Sequence, residues 1–246
     1  MKKLANRLWP RRWHPFALAT QCVRKAARNG IISGPFAGMR YLDKSLCSAL
    51  MPKLLGIYES EVNEAVEDCC SHGYKTILNV GAAEGYYAVG LARRCPGALV
   101  HAFETEAEGR EMIQQLAAIN GCADRIQVHG LCTPDDLQLL LQNHPDALLV
   151  MDVEGAEDDL LQPERIPELA GCRILVELHE FAVPGIRNRL RERFAPTHEI
   201  QEYLSEERRL EDLPVRSLLL DRWLIKLTRE FRPEAMSWYD LKPLQK

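Results

Sequence analysis

Short apolar runs and amphipathic stretches alternate along most of this chain. Thr76–Val80 (TILNV), Ala98–Phe103 (ALVHAF), Ile126–His129, Ala147–Asp152 (ALLVMD) and Arg173–Leu178 (RILVEL) each read as a strand. Between them, Tyr86–Arg94, Glu106–Asn120, Pro134–Asn143 and a segment opening at Glu157 carry apolar residues at helical spacing. Ile186–Phe194 follows as a basic amphipathic helix. Continuous apolar strands separated by helices predict a mostly parallel sheet covered on both faces, the doubly wound α/β class. Upstream, Leu54, Leu55, Ile57, Tyr58, Val62, Ala65 and Val66 predict one helix from Pro52 to Cys70. Glu59, Glu61, Glu64, Glu67 and Asp68 would form its wet side. Downstream, Ser217–Leu227 (SLLLDRWLIKL) is read as the source of the last strands. The predicted division is a basic arm with a helical extension over residues 1–70 and an α/β domain over 71–246.

Composition adds little for the whole molecule but something for its N-terminus. The 246 residues are 46% hydrophobic and 27% charged, ordinary for a globular chain, with a net charge of -4. That balance predicts no general attraction to nucleic acid. Charge is uneven, however: Met1–Leu42 holds nine Lys or Arg and no Asp or Glu, interleaved with Trp9, Trp13, Phe16 and Leu18. The arm is expected to be solvated or packed on a partner, with weak contact to a membrane surface as a second reading. No apolar run approaches the roughly 20 residues of a membrane helix, and the basic start lacks the apolar stretch of a secretory signal. The eight cysteines follow neither a zinc nor a redox spacing, which predicts reduced thiols and a cytoplasmic setting.

The candidate chemistry begins at Leu78-Asn79-Val80-Gly81-Ala82-Ala83-Glu84-Gly85, a strand running into a glycine turn and a helix. Gly81 permits a sharp bend, and Gly85 permits close approach of a ligand or of helix to strand. The second strand ends at Glu104, 19 residues past Gly85. A carboxylate at that spacing suits the two hydroxyls of an adenosine ribose. Dinucleotides and S-adenosylmethionine share this geometry. Glu84 places a negative charge where a pyrophosphate would sit, whereas a sulfonium nucleoside tolerates it, so S-adenosylmethionine is the favoured ligand.

The blocks NVGAAEGYYAVG, HAFETE, LLVMDVEGAEDDLL and ILVELHE, in that order, resemble class I S-adenosylmethionine methyltransferases over about residues 74–182. DVEGAE, Asp152–Glu157, is similar to the FkbM type, which are usually O-methyltransferases of sugars and secondary metabolites. The resemblance implies a Rossmann-like methyltransferase fold. It implies that Gly81, Ala83 and Gly85 line the methionine part of the cofactor, that Glu104 holds the ribose, and that Asp152 stands near the reactive centre. Asn79, Glu84 and Asp152 are likewise expected to contact the cofactor. Asn79, where many members carry an acid, and Ala83, where glycine is frequent, depart from the pattern.

Methyl transfer to an alcohol requires an aligned acceptor and removal of its proton. His179 at the end of the fifth strand is the candidate base, with a strand-end structural role as its alternative. Asp152 and Glu154 would orient the acceptor or take the proton themselves. Glu177 and Glu180 stand nearby in sequence, and Glu157 has the simpler role of favouring a helix N-terminus. These carboxylates could hold a divalent cation, but no metal is assigned. His198 and Arg187, Arg189, Arg191 and Arg193 are read as structural or solvated, an anionic acceptor being the minority reading. The expected partner is a small-molecule or glycan acceptor, with no nucleic acid. The competing readings are an NAD-dependent oxidoreductase, a cofactor-binding module without catalysis, and RNA methylation.

Overall fold

The structure is a computed structural model that describes residues 14–46, 48–230, 232 and 234–244. Trp9 and Trp13 of the basic arm lie outside the described residues. The chain opens with α1 (Pro15–Ala26), α2 (Leu50–Leu55) and α3 (Asn63–His72). An alternating series follows: β1 (Thr76–Val80), α4 (Tyr86–Arg94), β2 (Leu99–Phe103), α5 (Ala107–Ile119), β3 (Ile126–His129) and α6 (Pro134–Asn143). It continues through β4 (Leu148–Met151), α7 (Glu157–Leu160), β5 (Arg173–Leu178), α8 (Ile186–Phe194), β6 (His198–Leu204), α9 (Asp221–Leu224) and β7 (Ser237–Pro243).

These residues fall into two compact units, one of residues 1–60 with 207–231 and one of residues 61–206 with 232–246. That division differs from a single boundary at residue 70. Residues 61–70 group with the sheet because Glu67 and Asp68 of α3 form ion pairs with Arg94 of α4 and Arg173 of β5. Residues 207–231 group with the N-terminal helices because Leu213, Leu224 and Leu227 pack with Ala19, Val23, Leu54, Leu55 and Ile57 in one apolar core.

In the first unit, Pro15 stands at the first helical position of α1, and His14 caps it by accepting from the Phe16 N–H. The single helix predicted over 52–70 is broken. Gly56 adopts a left-handed φ of 78°, and a Cβ there would lie 1.9 Å from the Ser33 carbonyl oxygen. A glycine C-cap in that conformation ends α2 where apolar spacing alone reads on. The expected strands of 217–227 are also absent: Asp221–Leu224 forms a short helix, and Asp221 at its start folds the preceding turn by accepting from the Ser217 N–H at 2.7 Å.

The second unit is a seven-stranded sheet of order β3-β2-β1-β4-β5-β7-β6. The first five strands run parallel, and β7 is antiparallel to both β5 and β6. The two last strands, β6 and β7, were not legible as strands. Against the all-parallel order 3-2-1-4-5-6 of dinucleotide-binding folds, one antiparallel strand, β7, is inserted between β5 and β6. One sheet face carries Leu78, Val80, Phe103, Leu149, Met151, Ile174 and Val176 against Leu137 and Leu141 of α6 and Leu190 and Phe194 of α8. The strand alternation sends Ile77, Asn79, Val100 and Val150 to the opposite face, where α4 and α5 lie.

A bidentate ion pair ties β7 into this sheet. Arg173 donates from Nε and Nη2 to the two carboxylate oxygens of Asp240 at 2.9 and 2.8 Å, with Asp240 fully buried. At the other end of β5, Glu177 accepts from Arg232 at 2.9 Å.

Candidate functional site: a cradle and a buried histidine

The sheet order reverses between β1 and β4, the kind of switch point at which open α/β sheets hold a ligand crevice beyond the carboxyl ends of the strands. Both loops are stitched to their neighbours. Gly81 and Ala82 each donate to the Phe103 carbonyl, at 3.0 and 2.9 Å, and the Asp152 N–H donates to Val80 at 3.0 Å. Gly81 sits at φ 80°, and a Cβ there would come 1.6 Å from the Asp152 carbonyl oxygen. No side chain fits, because the two loops touch at that point.

Ala83 adopts a φ of 46°, uncommon for a residue with a Cβ. That conformation turns its N–H toward β2, where it donates to Glu104 Oε2 at 2.7 Å. The Glu106 N–H donates to the other oxygen, Oε1, at 2.8 Å. Two backbone donors, one per oxygen, fix the carboxylate; the Thr105 hydroxyl makes a longer contact to Oε1 at 3.4 Å, and Oε2 keeps a lone pair. Gly109 of α5 completes the arrangement: a Cβ there would lie 2.6 Å from Glu104 Cγ and 2.9 Å from the Ala83 carbonyl. Nothing in the local sequence singled out Gly109. It reads as an ordinary helical residue until α5 is laid over the turn.

The other turn residues divide in role. A Cβ on Gly85 would lie 3.2 Å from Ile113, so this glycine lets α5 pack close. Asn79 is buried, its Nδ2 facing the Val150 carbonyl at 3.4 Å while its Oδ1 has no hydrogen-bond partner. Glu84 was expected to set a charge at the ligand surface, but its side chain is fully buried. With that carboxylate buried, the electrostatic argument against a pyrophosphate loses its footing.

Across the crevice, the loop after β4 presents Asp152 and Glu154. Glu154 has a φ of 52° and its side chain is 71% exposed, while Asp152 is 27% exposed. Behind them lies His179, its side chain only 2% exposed. Its Nε2 stands 3.4 Å from Asp152 Oδ1, 3.5 Å from Glu154 Oε2 and 3.8 Å from Glu177 Oε2. Its Nδ1 is hydrogen-bonded to Glu157 Oε1, on a fully buried carboxylate that also accepts from the Gly155 N–H at 3.2 Å. Burial works against the imidazolium. The Glu157 hydrogen bond and the charges of Asp152, Glu157 and Glu154 outweigh it, and the His179 pKa is raised.

The structure thus brings Asp152, Glu154 and His179 together and adds Glu157, which sequence had given only a helix-end role. A pair 22 residues apart on different elements leaves no local signal. Of these, Asp152, Glu154 and His179 have the atoms and spacing to share a cation. Glu180 belongs elsewhere: it accepts from the Gly185 and Arg187 N–H groups at 2.6 and 3.1 Å and caps α8. His198 is buried and bonded to the Cys172 carbonyl at 2.9 Å. The α8 arginines, expected on a solvated face, are ion-paired: Arg189 and Arg193 to Asp158, Arg187 and Arg191 to Glu202.

No protein-family model and no curated protein matches this chain. Solved structures do. A cofactor-bound protein from MTB, Rv0187, aligns with 13% identity over 93% of this chain and 89% of its own, with a TM-score of 0.51. An rRNA methylase from Streptococcus thermophilus aligns with 11% identity over 75% of this chain and 97% of its own, with a TM-score of 0.50. At such identities the likeness is one of fold, and this chain has the Rossmann-like fold of class I methyltransferases.

Proposed function

We propose that this protein is an S-adenosylmethionine-dependent methyltransferase, acting on a hydroxyl of a glycan or small metabolite. The observation that carries the reading is the bond between the Ala83 N–H and Glu104, which joins the glycine turn to the carboxylate that ends β2. Glu104 would accept the ribose hydroxyls of the cofactor, and the backbone of Gly81, Ala83 and Gly85 would border its amino-acid end. The sulfonium, when bound, would supply an electrophilic methyl carbon.

The chain's own part is to hold the acceptor and take its proton. Asp152, at the rim of the crevice, accepts the hydrogen bond of the acceptor hydroxyl, and exposed Glu154 orients it. The proton passes through Asp152 to His179 Nε2, which is open to it because Nδ1–H is committed to Glu157. The raised pKa makes His179 a resting place for that proton. DVEGAE supports an FkbM-type assignment within the fold. A cytoplasmic setting accords with the seven described cysteines, all free thiols and five of them buried.

Three measurements test the reading. Calorimetry with S-adenosylhomocysteine should give a one-site isotherm, and titration with NADH should give none. Incubation with methyl-labelled S-adenosylmethionine should label a carbohydrate or small-metabolite fraction and leave RNA unlabelled. Binding of NADH with no binding of the sulfonium nucleoside would establish the oxidoreductase reading instead. Cofactor binding with no fraction labelled would establish the module without catalysis.

A further inference from the structure

Charge is divided between the two units far more sharply than the net value of -4 suggests. Residues 1–60 with 207–231 contain seventeen Lys or Arg and seven Asp or Glu, a formal charge of +10. The remaining residues contain fourteen basic and twenty-eight acidic side chains, a formal charge of -14. Five of those seventeen lie within residues 2–12, outside the described residues; the described part alone carries twelve basic and seven acidic side chains, +5, a balance that favours anionic surfaces.

The same unit displays apolar side chains at one place. Leu218 and Leu219, adjacent in the turn before α9, are 99% and 90% exposed. Single exposed leucines are common, but a consecutive pair with almost no intramolecular contact is not. They are followed by exposed Arg222, half-buried Trp223 and exposed Lys226, whose Nζ lies 4.5 Å over the Trp223 ring. Trp223 also meets His14 edge to face at 5.4 Å, and Phe16, two residues on, is 41% exposed.

We infer that this turn, Leu218 and Leu219 with Trp223, Arg222 and Lys226, docks on an anionic lipid bilayer. Leucines at a turn tip enter the acyl boundary, Trp suits the headgroup level, and Lys and Arg meet the lipid charge. No helix among the described residues is long and apolar enough to cross a membrane, so the contact is peripheral. A nucleic acid would answer the charge but not the leucine pair, since stacking on bases calls for aromatic rings. This inference does not rest on the methyltransferase reading, because it involves none of the crevice residues.

The test is flotation of the full chain with vesicles of phosphatidylcholine alone and of phosphatidylcholine with phosphatidylglycerol. Binding is expected only to the anionic vesicles and should weaken as salt is raised. The double variant Leu218→Ser, Leu219→Ser should bind these vesicles about tenfold more weakly, the loss persisting at high salt. Both side chains are exposed, so its thermal midpoint and S-adenosylhomocysteine affinity should match those of the unaltered chain. Absence of binding to anionic vesicles overturns the inference, as does a folded double variant that binds them equally well. Tighter binding of a single-stranded RNA, unaffected by the leucine changes, would assign the basic unit to nucleic acid. Leucine-dependent dimerisation without vesicle binding would assign the face to a second copy of the chain.

Discussion

The Ala83 N–H and Glu104 Oε2 are 2.7 Å apart, although 21 residues and a whole helix separate them in the chain. This contact makes the glycine turn and the end of β2 one object. Disturbing either partner should therefore disturb the pocket as a whole.

Replacing Glu104 with Ala removes the acceptor of two backbone N–H groups and of the ribose hydroxyls. Hydrogen bonds to a charged group are worth about 1.5–3 kcal/mol each, so S-adenosylhomocysteine affinity should fall about 100-fold or more. Calorimetry on the folded variant measures it. Gly109→Ala should show the same weakness in milder form, about tenfold, because its methyl would press on Glu104 Cγ at 2.6 Å. A Gly109→Ala protein with unchanged affinity would contradict the assigned role of Glu104.

The raised pKa of His179 sets a pH dependence. While protonated, His179 cannot receive a proton, so kcat should rise with pH and reach half its maximum above the ordinary histidine value of about 6.5. Glu157→Gln removes the charge bonded to Nδ1 and should move that limb to lower pH. His179→Ala should reduce kcat by about 100-fold with little change in cofactor affinity. For stability the sign runs the other way. The raised value stabilises the fold fully below the unfolded pKa, and this contribution is lost as pH rises through the folded one. A kcat profile paired with an NMR titration of the imidazole would follow both.

Acid should act through a different histidine. His101 on β2 is buried beside His129, with 3.2 Å between ring nitrogens, and its pKa is pushed down to about 4 by burial and by the His129 and His144 charges. A neutral buried histidine stabilises the fold above its unfolded pKa and loses that effect as pH falls toward the folded value. The thermal midpoint should therefore decline from about pH 6.5 downward. His101→Phe should flatten the decline.

The Arg173–Asp240 pair is buried on both sides and holds the antiparallel strand β7 against β5. Arg173→Leu leaves a buried carboxylate without its bidentate partner and should cost about 3–5 kcal/mol in denaturant unfolding. Replacing both residues by apolar ones of similar volume should recover much of the loss. Recovery in the double variant separates lost ion pairing from lost packing.

Apolar patterning alone determined the five parallel strands and most of their covering helices. Strands such as TILNV and RILVEL are buried on both faces, and that burial writes itself into consecutive residues. The turn from Gly81 to Gly85 and the spacing to Glu104 were legible for a related reason: a tight bend and a strand end leave local marks. Only tertiary structure decided the rest. The partners of Glu104, the Glu157 carboxylate behind His179, and Gly109 over the turn are meetings between elements far apart in sequence. The burial of Glu84 depends on packing that a charge in a loop motif does not reveal. The antiparallel β6–β7 pair hid because its strands mix charged with apolar residues and lie far apart in the chain, and SLLLDRWLIKL misled because apolar content without β-sheet partners does not make a strand. Local chemistry fixes bends and buried strands, whereas pairings across the chain exist only once the sheet has closed around them.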